Sequence, residues 1–260
     1  METTREPIFN VPAVVLAVLA LIALVHAVFV LFLSEDQTIR MLLLFAFIPA
    51  RYDVTLLPGG VLPGGLGADI WTFFTYALIH SDISHLVFNA VWLLAFGTPV
   101  ARRFGALRFT IFLVATAAAG AVVHLATHRG ELFPMIGSSA AVSGTMAAAM
   151  RFAFQQGGPL GFLGARNDSA YRMPAAPLLE NLRDPRVLIF LVVWFGVNIL
   201  FGIGSVSLPG VSGNVAWQAH IGGFLVGLLG FALFDPIRRP PDTGAPPQVP
   251  PDDRDKQQIH

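Results

Sequence analysis

Two polar groups able to act as a pair sit inside separate apolar stretches: Ser139 in IGSSAAVSG (136–144) and His220 in WQAHIGGFLVG (217–227). A third stretch, HSDISHLVFN, adds His80, His85 and Asn89. Ionisable and strongly polar groups are costly in hydrocarbon, so their default reading there is functional. A serine hydroxyl becomes a useful nucleophile when a neighbouring base accepts its proton, and neutral imidazole suits that role near pH 7. The attacked carbonyl then develops negative charge and needs donors aimed at it. Asn89, in the middle of LVFNAVWLL, would be expensive unpaired. Its amide, the Ser139 backbone N–H and His85 are the expected oxyanion donors, and His85 and Asn89, four residues apart, share a helix face. His80, five before His85, falls roughly 140° around an ideal helix and is expected to support from the loop side. Ser138 and Ser143 compete with Ser139, but helix serines commonly bond back to their own backbone. No Asp or Glu lies in the apolar parts of the later stretches, so a Ser-His dyad is the simplest arrangement.

The elements that must carry these groups are apolar. Hydrophobic residues make up 55% of the 260-residue chain and charged residues only 12%, a mixture of an integral membrane protein. The zero formal net charge argues against a nucleic-acid partner, which requires a basic surface. Without cysteine there is no thiolate nucleophile and no Cys-based metal site. The first apolar run, Val11 to Leu33, is about the 20 residues needed to cross a bilayer core and reads as a retained helix. Residues 34–70 form a long connection expected at the interface. Further spans are expected at about 83–99, 107–127, 139–155, 187–203 and 217–234, six in all. The division is a 1–10 N-terminus, an 11–234 membrane domain and a Pro-rich, disordered 235–260 tail.

Arginine placement orients the bundle, since cytoplasmic loops collect basic residues. With both termini cytoplasmic, only Arg40, Arg51 and Arg129 fall outside, and Ser139 and His220 lie at matched depth near the extracytoplasmic face. Gly223 and Gly227 follow His220 by three and seven positions and share its face. With Ala140 and Gly144 beside Ser139 they form the small-residue seam along which helices approach in lipid. His124 and His128 are expected to be an interfacial pair, and His26 to be packed and solitary. Arginine usage, with a single lysine at Lys256, and abundant alanine favour a bacterial inner membrane.

Over about residues 71–234 the chain resembles the rhomboid intramembrane serine proteases. The resemblance rests on His80, His85 and Asn89 as H-x4-H-x3-N, on Gly137 to Ser139 as G-x-S, and on Ala219 to Gly223 as A-H-x-G-G. It implies an all-α, six-transmembrane-helix bundle with Ser139 as nucleophile, His220 as general base, and Asn89 with His85 at the oxyanion site. Some positions depart from the pattern. Ala140 replaces the usual glycine after the nucleophile, and its methyl is expected to crowd the turn or the seam. Ser143 stands where some members place an aromatic residue on the histidine, and Thr72 follows Trp71 where many have arginine, changes expected to loosen the histidine and the first loop.

The expected activity is cleavage of single-span membrane proteins near the extracytoplasmic face, beside helix-weakening Gly or Pro, without a cofactor or metal. The fifth helix and the following loop, with Gly202, Gly204, Gly210 and Gly213, are candidate gates. The alternatives are a catalytically silent relative that binds transmembrane helices, motivated by Ala140, and a zinc hydrolase using His80, His85 and His220, disfavoured by the absence of H-E-x-x-H.

Overall fold

The computed structural model describes residues 11–53, 55, 61–159, 168–202 and 215–238. It is helical, and among these residues β pairing is limited to a single antiparallel bridge between Phe47 and Met135. Helix α1 (Ala13–Leu31) is followed by α2 (Glu35–Phe45) and α3 (Gly65–Thr75). Next come α4 (Ile83–Trp92) and α5 (Thr98–Phe104), joined through a wider π turn at Leu93–Gly97 into one continuous rod. The remaining helices are α6 (Ala106–Thr127), α7 (Ser139–Ala153), α8 (Leu178–Asn181), α9 (Pro185–Gly202), α10 (Trp217–Leu229) and α11 (Phe231–Phe234). Of these, α1, the Ile83–Phe104 rod and α6 are long and apolar enough to cross a membrane, whereas α9 and α10 are shorter apolar helices.

Helix α7 is the centre of the bundle. Every residue in it except Ser139 and Met146 is buried, and its run of Ala147, Ala148 and Ala149 lets neighbours approach on all sides. Helices α6 and α10 pack on it. The α6 face toward it is equally small, with Thr116, Ala117, Gly120 and Ala121 buried. By contrast α1 buries only Val15, Ile22 and His26, and turns Leu24, Val30 and Leu31 outward, a surface suited to lipid.

The connection between α1 and the rod is more ordered than an interfacial loop. Ser34 and Gln37 cap α2 reciprocally. Trp71 donates its indole N–H to the Leu44 carbonyl at 2.7 Å, and Thr75 its hydroxyl to Phe45 at 2.7 Å, which ties α3 to the end of α2. Thr72, the residue expected to loosen the first loop, is tied to Tyr52 and to the Ala68 carbonyl. It is fully buried and shares a 3.0 Å hydrogen bond with Tyr52, while Arg51 donates to the carbonyls of Pro63 and Leu43. An arginine from the loop itself therefore gathers its carbonyls.

At the opposite end of the rod, Arg103 donates through Nε and Nη2 to the two carboxylate oxygens of Asp235, at 2.9 and 2.8 Å, and through Nη1 to the carbonyls of Tyr171 and Met173. Its guanidinium also lies over the rings of Phe152 and Phe231. This two-pronged pair, with four of the five guanidinium N–H groups bonded, is the kind that tolerates burial, and it fixes Asp235, at the boundary expected between membrane domain and tail, to the core. Asp235→Asn is expected to lower stability by about 3 kcal/mol, because it leaves a buried guanidinium without its counter-charge. Thermal unfolding in detergent measures it, and Arg186→Ala, at the exposed pair with Asp184, should leave the midpoint unchanged.

Candidate active site

Ser139 occupies the first position of α7, on a turn that needs glycine behind it. Gly137 has φ of 108°, and a side chain there would also strike the His85 ring, 2.5 Å from Nε2. The Gly137 N–H donates to the Tyr76 carbonyl at 3.0 Å, which anchors the turn. From α10, His220 Nε2 reaches Ser139 Oγ at 2.8 Å, a full hydrogen bond between two half-buried groups.

That distance depends on how close α7 and α10 come. A Cβ at Gly223 would overlap the Ala140 carbonyl, one at Gly227 the Gly144 carbonyl, and one at Gly144 the Thr116 side chain of α6. The three glycines read as seam residues are thus at backbone-to-backbone or backbone-to-side-chain contact. Ala140, expected to crowd the seam, does not. Its methyl fits opposite Gly120 on α6, where a Cβ would stand 2.5 Å from it. Gly120 went unread in the sequence because it lies in no motif and its partner is on another helix.

Asn198 of α9 is the other residue that sequence reasoning missed. Its Oδ1 lies 2.6 Å from His220 Nδ1, and its Nδ2 donates to the Trp194 carbonyl at 2.8 Å. The second bond fixes which way the amide points, so Oδ1 must accept from Nδ1–H. Nε2 is then the unprotonated nitrogen and accepts from the Ser139 hydroxyl, the tautomer that general-base chemistry needs. The available signal was an asparagine inside VVWFGVNILF, as costly in lipid as Asn89.

His85 faces the Gly137 turn from α4. Asn89, one helical turn further and buried, gives an amide N–H to the His85 carbonyl at 3.0 Å. His80 is placed as a support: its Nε2 is 3.3 Å from Ser138 Oγ, its ring meets that of His85 edge-on, and its carbonyl contacts His26 Nδ1 at 3.2 Å. His26 is therefore not solitary. Ser143 bonds back to the Ser139 carbonyl at 2.8 Å. His124 and His128 stack with centroids 4.2 Å apart. Among the described residues no three His, Asp or Glu side chains are grouped to hold a metal ion. Gly204, Gly210 and Gly213 lie outside the described residues.

A helical bundle with apolar, membrane-type helices that brings a serine into hydrogen-bond contact with a histidine narrows the class of protein. A family model described as Rhomboid domain matches residues 67–235, and the chain belongs to the rhomboid family. It is also 32% identical over 167 residues to RHOMBOID-like protein 12, mitochondrial, of Arabidopsis thaliana, which covers 62% of this chain and 45% of that protein. The chain therefore spans less than half the length of this relative.

Two outcomes are expected from these contacts. Gly120→Ala should cost about 2 kcal/mol by overpacking, and Ala140→Gly in the same chain should recover part of it, as measured by thermal unfolding in detergent. Asn198→Leu should slow any Ser139-dependent reaction by about 100-fold, the lower range of what a positioned base contributes, with the fold intact by circular dichroism. An unchanged rate would show that His220 needs no orienting amide.

Proposed function

We propose that the protein is an intramembrane serine endopeptidase that cleaves transmembrane segments near the extracytoplasmic face. Ser139 is the nucleophile, His220 the general base and Asn198 the group that orients it, while the Ser139 backbone N–H, His85 and Asn89 receive the oxyanion. The observation that carries this reading is the 2.8 Å bond between Ser139 Oγ and His220 Nε2, with Nδ1 held by Asn198. Attack moves the hydroxyl proton to Nε2 and forms a tetrahedral intermediate. Its collapse expels the amine, which takes that proton, and water then releases the acyl group by the same route.

The reading includes six spans, α1, the α4–α5 rod, α6, α7, α9 and α10, with both termini cytoplasmic, in support of which stands the skew of arginines among the loops. At 1.5 Å per residue α7 is about 22 Å long, shorter than a roughly 30 Å hydrocarbon core. Its serine end, enclosed by other helices, can therefore sit below the membrane surface and still meet water, because polar groups inside a bundle can line a water-filled cavity. A peptide bond in a helix is shielded, so the substrate must unwind locally, and α9 with the loop before α10 is the proposed gate. The bacterial inner membrane expected from residue composition finds no support in the named relative, which is mitochondrial.

A fluorophosphonate serine probe tests the site on the purified chain. Labelling is expected in the wild type and in Ser138→Ala, absent in Ser139→Ala, and slowed about 1,000-fold in His220→Ala. Labelling that follows Ser138 would move the nucleophile to the serine beside His80. No wild-type labelling, with the fold intact, would favour a silent protein that binds transmembrane helices.

A further inference from the structure

His85 is tied to more than the Gly137 turn. Its Nδ1 lies 3.1 Å from Ser81 Oγ, and the Ser81 hydroxyl donates to Asp82 Oδ2 at 2.7 Å. A hydroxyl has one proton to give. Ser81 gives it to the carboxylate, so the proton shared with His85 comes from Nδ1. Asp82 is itself held firmly. Its Oδ1 caps α4 by accepting the His85 backbone N–H at 2.9 Å and also accepts the Ser84 hydroxyl. Burial works to raise the Asp82 pKa, but the bonds from Ser84, Ser81 and the backbone N–H groups of His85 and Ser84 outweigh it and bring it down to about 2. The other groups facing the His85 ring are histidines: His80 with its ring centroid 5.1 Å away, His26 from α1 and His220 from α10. Among the described residues Asp82 is the anion on this side of the site.

We propose that Ser81 and Asp82 are positioning residues for His85, a two-step relay that keeps a proton on Nδ1 and turns Nε2 toward the turn carrying Ser139. The consequence for catalysis rests on the protease reading. With Nδ1 protonated, a neutral ring shows a lone pair at Nε2, which would repel an oxyanion. Nε2 donates only when the ring carries both protons, as imidazolium, and Asp82 is the counter-charge one hydroxyl away. His85 thus stabilises the intermediate as a cation once Nε2 has taken a proton from solvent, the Ser139 proton going to His220, and Asn89 acts as a neutral donor.

The relay can be read in the resting protein, apart from any proteolysis. In the full chain labelled with 15N-histidine, the His85 resonances, identified by their loss in His85→Gln, report which nitrogen carries hydrogen. Expected are a protonated Nδ1 in the wild type and a shift of the neutral ring to Nε2–H in Ser81→Ala. A wild-type ring protonated on Nε2 alone, or a Ser81→Ala ring unchanged from wild type, would overturn the proposal. Asp82→Asn keeps a good helix cap while removing the charge. Cleavage of a single-span reporter by it should show kcat lower by about tenfold, equivalent to about 1.4 kcal/mol, with KM within about twofold; wild-type kcat would remove Asp82 from the relay. If the wild type cleaves nothing, the protease reading fails, while the tautomer measurement still decides the relay.

Discussion

The close approach of α7 and α10 is the constraint on which the rest depends. A hydrogen bond between side chains on two helices is made only if their axes are near enough, and in lipid no hydrophobic drive between helices enforces that. Packing alone must do it. Here Gly223 and Gly227 present bare backbone to the Ala140 and Gly144 carbonyls, and Gly144 leaves room for Thr116 of α6. Helix α6 backs the pair and supplies, at Gly120, the hollow into which the Ala140 methyl fits. The serine-histidine distance is thus set by residues that take no part in chemistry, spread over three helices.

Much of this was legible in the sequence because cost in lipid makes polar residues conspicuous. Ser139, His220, His85 and Asn89 stood out by type and spacing, and Gly223 and Gly227 by their phase with His220. The places of the apolar helices were readable too, since hydropathy over about 20 residues is a strong signal. What could not be read were relations between helices. Gly120 matters only because Ala140 lies opposite, and Arg51 only because Leu43 and Pro63 turn their carbonyls toward it. The expectation that Ala140 would crowd the site failed for that reason: a residue's volume was visible and the shape of the hollow receiving it was not. The order in residues 34–53 and 61–70 was underestimated because α2 and α3 are short helices held by tertiary bonds to Leu44 and Phe45.

The ends of the bundle carry a different kind of interaction. Arg103 bonds Asp235 and two carbonyls while lying over two aromatic rings. An arginine so placed acts as a pin, joining the rod, the segment after α7 and the end of α11. Arg51 does the same for the connection before α3. The two guanidiniums clamp the chain where it leaves the helices, and the interior between them holds small residues and large aromatics such as Phe109 and Phe112 together with neutral polar pairs.

That division explains why the two histidines facing the serine turn have different partners. His220 lies in the bundle and is oriented by Asn198, a neutral amide. A carboxylate there would lose hydration on all sides, at an effective cost of several kcal/mol in real proteins, and nothing in α9 or α10 would compensate it while the imidazole is neutral. An amide fixes the tautomer at far lower cost, as its second bond to Trp194 shows. His85 sits at the first turn of α4, beside exposed Ser81, where a carboxylate keeps contact with water and doubles as the helix cap. Depth therefore sorts the partners. The charged orienter, acting through the Ser81 hydroxyl, stands at the rim and the uncharged one in the interior, each where its surroundings tolerate it.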